Sequence, residues 1–111
     1  MSLSTHILDT ALGRPAANVS LTLSQLVGAT WQEIGSARTD ADGRCKTLLG
    51  DHLLQPSTYK IRFNTAEYFH DMRITSIYPY VDVAFTVADP GQHYHIPLLL
   101  TANGYTTYRG S

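Results

Sequence analysis

Residues 92–100 read QHYHIPLLL, with two histidines separated by one position. In a strand, His93 and His95 project from one face, and Tyr94, Ile96, Leu98 and Leu100 project from the other. Such a His-x-His pair can chelate a metal, or it can supply an imidazole that accepts and returns protons near neutral pH. Zinc usually takes three or four protein ligands, and nothing else in this run completes a set, so no metal is assigned. An ordinary surface or interface role stands beside the chemical one.

Two more groups fit acid–base or anion chemistry. His6, in LSTHILDT, shares a strand face with Ser4 and Leu8, while Ile7 points the other way. Arg44 follows the turn TDADG and offers a planar fork of donors to a carboxylate, an amide oxygen or a developing oxyanion. Lys46 lies on the same face, so a solvated basic edge is the plain alternative. The lone Cys45 reads as a small buried residue rather than a nucleophile. His52 and His70 are assigned to the surface. The last seven residues, YTTYRGS, carry two aromatics and a cation where chains normally fray. Glycine-rich phosphate loops, G-x-S-x-G, CxxC and HExxH are all absent.

The elements that must position these groups are strands. NVSLTLSQL sets Val19, Leu21 and Leu23 against Ser20, Thr22 and Ser24; TYKIRFN and YVDVAFTVAD alternate in the same way. Weaker strand candidates cover residues 3–10, 31–39, 44–48, 93–101 and 104–109. Asp42-Gly43 and Asn103-Gly104 can supply the positive backbone angles of tight hairpin turns, which makes the tail a return strand. Pro97 cannot donate to a ladder, so its strand is expected at an edge or at a bulge. NTAEYFHDM breaks the alternation, with Asn64 as N-cap, Glu67 three residues on, and Phe69 and Met72 at helical spacing. The pattern predicts an all-β antiparallel β-sandwich of seven or eight strands with one short helix.

The chain has 111 residues, which suits one domain over residues 1–111. Eight Lys and Arg face nine Asp and Glu with no basic cluster, which argues against nucleic acid and anionic membrane partners. Apolar runs such as Leu98–Leu100 are far too short to cross a bilayer. MSLSTHILDT moves directly into alternation, and the single cysteine fits a reducing compartment. A cytoplasmic protein is expected, or a periplasmic one if residues 1–3 replace a removed signal peptide.

Four separated segments resemble the transthyretin-like family, and within it the branch of 5-hydroxyisourate hydrolases: STHILDTALGRPA, TDADGR, HYHIPLLL and the closing Tyr108-Arg109-Gly110-Ser111. The likeness runs from about Leu3 to Ser111. The chain departs mildly at Thr101-Ala102-Asn103 and Thr106, where many relatives carry Ser-Pro and Ser. The resemblance implies a transthyretin-like (prealbumin-like) sandwich that forms a homotetramer, a dimer of dimers, with sites in the channel between dimers. It implies metal- and cofactor-free hydrolysis of one amide bond in the six-membered ring of 5-hydroxyisourate, between urate and allantoin. By motif position it implies His6, Arg44, His95 and Ser111 as catalytic residues, with Tyr108 on the substrate alongside His6 and Arg44. His93, Arg109 and Gly110 are supporting. The competing readings are a transthyretin-like carrier that holds a planar aromatic ligand, and an interaction sandwich with no small-molecule site.

Overall fold

Alternating burial builds two sheets. The computed structural model describes residues 2–111. In chain order its elements are β1 (Ser2–Asp9), β2 (Arg14–Pro15), β3 (Ser20–Val27), β4 (Thr30–Arg38), β5 (Arg44–Cys45), β6 (Ser57–Phe63), α1 (Thr65–Asp71), β7 (Val81–Val87), β8 (His93–Thr101) and β9 (Gly104–Thr107). One sheet runs β2-β1-β8-β9 with β5 also on β1; the other runs β4-β3-β6-β7. Their inner faces meet in a core that includes Ile7, Leu98 and Leu100 from the first sheet and Leu21, Leu23, Ile61 and Phe63 from the second. Each such side chain contributes about 1.5–3 kcal/mol by leaving water.

The expected sandwich forms, with one pair that departs from antiparallel. Strands β1 and β8 run parallel, from Ser2↔His93 to Asp9↔Leu100. The buried Thr5 hydroxyl donates to the Ile96 carbonyl within this pair. The expectation of an edge strand at Pro97 is corrected, because β8 lies between β1 and β9. The ladder to β9 stops at Leu98↔Thr107, one residue short of the missing proline N–H. The Pro97 carbonyl is taken instead by the Thr107 hydroxyl at 2.8 Å.

The turns are also corrected. Thr101 pairs with Gly104, so Ala102 and Asn103 are the central residues of the last hairpin. Neither they nor Gly104 have positive φ. The Asp42-Gly43 turn is no hairpin either: β4 and β5 belong to different sheets, and the turn carries the chain across the sandwich. Gly43 does use the left-handed region, with φ +72, and an added Cβ would meet the Ile7 carbonyl. The strand expected over residues 44–48 is cut to two residues.

Helix α1 forms where expected, but its start differs. Asn64 makes no side-chain cap; its Nδ2 donates to the Ser20 carbonyl at 3.2 Å and so ties the helix entrance to β3. At the end of β1, the buried Asp9 carboxylate accepts the N–H groups of Ala11 (3.1 Å) and Leu12 (3.0 Å) and the hydroxyl of Tyr68 in α1 (2.7 Å). Three donors are what a buried carboxylate needs to offset lost hydration.

Candidate active site

The outer face of the first sheet carries the serines and histidines of β1 and β8. In β1 the half-buried positions are Ser4, His6 and Leu8, alternating with buried Leu3, Thr5, Ile7 and Asp9. Pairing with β5 sets His6 directly across from Arg44, and pairing with β8 sets Ser4 across from His95. Three strands thus bring His6, Arg44, His95 and the exposed His93 to one surface.

Arg44 is held by its turn. The Ile7 N–H bonds to the Gly43 carbonyl at 2.8 Å, which anchors the turn beside His6. Asp40 Oδ1 accepts the N–H groups of Asp42 (2.9 Å) and Arg44 (3.0 Å). The Arg44 bond is the main reason that the Asp40 carboxyl titrates below its ordinary range. The guanidinium stays exposed and available.

His95 is half-buried in this group. Burial lowers its pKa below the ordinary value of 6.5; the nearby charges of His93, His6 and Arg44 lower it further, and the Ser4 contact opposes them. It is therefore neutral at neutral pH, as a proton acceptor must be. Its Nδ1 lies 2.7 Å from Ser4 Oγ, and among the described residues Nε2 has no hydrogen bond. Its ring plane is within 15° of that of His93, with centroids 6.3 Å apart.

The tail rejoins the site through its backbone. Beyond β9, carrying on the hairpin register would place Tyr108 opposite Pro97 and Gly110 opposite His95. The second pairing forms, with the Gly110 N–H donating to the His95 carbonyl at 2.8 Å. Ser111, one residue further, is exposed, and so is Tyr108. Arg109 turns away from the histidine face. Its guanidinium lies 4.5 Å from the centre of the Tyr94 ring and donates to Gln92 Oε1 at 2.7 Å, so it fastens the tail and does not face the histidines.

A concavity of about 800 Å³ opens beside His93, lined by Ser2, Ser4, Lys46, Asp51 and His52 among others. His52, read as a surface residue, is exposed and lies on this wall. Ser2 and Ser4 were missed as histidine partners: alternation places them on the His6 face, but only the parallel β1–β8 pairing reveals their neighbours. Among the described residues, no three His, Cys, Asp or Glu side chains converge as a metal site would require. No helix among them is long and apolar enough to cross a membrane.

The two-sheet sandwich is of the transthyretin type, and its outer face carries the histidines. The HIUase/Transthyretin family model matches residues 3–110, and the chain belongs to that family. It is 46% identical to the 5-hydroxyisourate hydrolase of Mus musculus over 111 residues, covering 98% of this chain and 94% of the mouse protein. The solved 5-hydroxyisourate hydrolase of Klebsiella pneumoniae superposes with TM-score 0.88 at 31% identity, covering 99% of this chain and 98% of that one. Sea bream transthyretin in complex with thyroxine superposes with TM-score 0.90, also at 31% identity, covering 97% of this chain and 93% of that one.

Proposed function

We propose that the protein is a 5-hydroxyisourate hydrolase, opening the six-membered ring of that oxidised purine by hydrolysis of one amide bond in urate degradation. The observation that carries this reading is the convergence of His6, Arg44 and His95 on one sheet face, with His95 held neutral and its Nε2 unengaged. His95 Nε2 takes a proton from water as the oxygen attacks the ring carbonyl. Arg44 stabilises the negative charge that develops on the carbonyl oxygen, a contribution typically worth about 100-fold to 1,000-fold in rate. His6, beside Arg44, gives a proton to the departing ring nitrogen. Tyr108 orients the flat ring, and Ser111 makes a polar contact through its hydroxyl. Gly110 and Arg109 hold these two in place. The chemistry assigns no metal or cofactor.

The likeness to the family supports a homotetramer, a dimer of dimers, in which the histidine faces line a channel. The single buried cysteine supports a cytoplasmic setting. The second reading, a carrier of planar aromatic ligands, is favoured by the close superposition on the thyroxine complex. A spectrophotometric assay with freshly generated 5-hydroxyisourate separates the two. Decay well above the spontaneous rate is expected; an intact assembly that leaves the spontaneous rate unchanged would overturn the enzyme.

A further inference from the structure

Ser2, His93, Ser4 and His95 form one unbroken line of hydrogen bonds. Ser2 Oγ bonds to His93 Nδ1, His93 Nε2 lies 3.1 Å from Ser4 Oγ, and Ser4 Oγ lies 2.7 Å from His95 Nδ1. The line follows from the parallel register, which sets Ser2 beside His93 and Ser4 beside His95. It starts at a half-buried imidazole in the candidate site and runs through an exposed one to Ser2, both on the rim of the concavity.

We propose that this line is a proton exit, with Ser4 and His93 as positioning and relay residues for His95; the proposal rests on the hydrolytic reading above. Amide hydrolysis at a non-basic ring nitrogen gives a carboxylate at neutral pH. The attacking water brings two protons: one replaces the proton that His6 gives to the departing nitrogen, and the other must leave the site. His95 accepts that second proton at Nε2. Its Nδ1 proton then passes to Ser4 Oγ as the Ser4 hydroxyl proton passes to His93 Nε2. His93 in turn releases its Nδ1 proton through Ser2 to water. Each residue gains one proton and loses one, which leaves both imidazoles in the opposite tautomer until exchange with water resets them, and no oxidant or metal takes part.

The charged and titratable groups around the line agree with an outward direction. Burial, and then the charges of His93, His6 and Arg44, disfavour a lasting positive charge on His95, whereas His93 is exposed beside the open concavity with Lys46, Asp51 and His52 on its wall.

The test uses the full chain with Ser4→Ala, Ser4→Thr and His93→Gln, assayed in dilute, poorly proton-transferring buffer and again with added imidazole. Ser4→Ala and His93→Gln should lower kcat by about 10-fold with KM within about twofold, short of the roughly 100-fold or more expected on losing the base itself. Imidazole should restore the lost rate, and Ser4→Thr, which keeps the hydroxyl, should stay near wild type. A His93→Gln chain with wild-type kcat at every buffer concentration overturns the exit. So does a Ser4→Ala loss that imidazole leaves untouched, which would reduce Ser4 to orienting the ring. A wild-type chain without hydrolysis removes the reaction and the exit together, whereas an active wild type indifferent to His93→Gln removes the exit alone.

Discussion

Gly110 lies flat against His95. Its N–H is bonded to the His95 carbonyl at 2.8 Å, and a Cβ added to it would run into the imidazole at Cδ2, with Pro97 Cγ only 3.3 Å away. The tail therefore approaches the proposed base as closely as backbone can, and only glycine permits it. Gly110→Ala should push the ring or the tail out of place and lower turnover by about 100-fold, the cost of a misplacement near 1 Å. The melting temperature should hardly change, since the tail is largely exposed. Removing residues 108–111 should abolish turnover; unchanged kinetics after that truncation would exclude the tail from the site.

The paired substitutions His95→Asn and Arg44→Ala divide the proposed labour. Each should reduce kcat/KM by about 100-fold or more while leaving the circular dichroism spectrum and assembly size intact. Near-wild-type turnover in either variant would remove that residue from the mechanism.

The His95 environment sets a pH signature. Its folded-state pKa is depressed, chiefly by burial and then by His93, His6 and Arg44, so its neutral form persists below pH 6.5. The acid limb of kcat/KM should fall below that value. Any stability linked to this group is present above the unfolded pKa and lost as pH falls through the folded one. Proton NMR of the His95 ring should show the titration moving upward in Arg44→Ala and in His93→Gln, each of which removes a depressing charge. A midpoint that stays put in both would leave burial and His6 as the causes.

Tyr68 and Asp9 give a prediction about stability alone. Tyr68→Phe strips one donor from a buried carboxylate and should cost about 1.5–3 kcal/mol in denaturant unfolding, with turnover preserved. Burial and the Asp9 bond raise the Tyr68 pKa from 10.0 to about 12. Its contribution is therefore fully present below pH 10 and lost as pH rises through about 12. Alkaline unfolding of Tyr68→Phe should lack that component.

What could be read in advance was the identity of faces. Period-two alternation named the buried sides of β3, β6 and β7, and it put His93 with His95 and His6 with Ser4, because side-chain direction is a local property of an extended chain. Alternation does not say which strand lies next to which. The central place of β8 was therefore hidden, and Pro97 argued against it. Its missing N–H costs little because the ladder to β9 opens at that residue and Thr107 takes the carbonyl. The Ser4–His95 bond depends on a partner 91 positions away, so no local pattern could reveal it. Arg109 belonged to the right motif but turned to Tyr94, a choice made by packing around an aromatic ring on the other face.

The parallel seam between β1 and β8 has a further consequence for how activity arises in time. Apart from Arg44, every proposed site group lies within residues 2–6 or 93–111, and the contacts between those groups close a loop of nearly the whole chain. Such long-range closure is entropically costly and belongs to the slow part of folding. The second sheet, whose neighbouring strands are closer in sequence, can form while the histidines are still far apart. On refolding, β-sheet signal should recover before hydrolysis does, so that the appearance of turnover marks the moment when the two distant segments first meet.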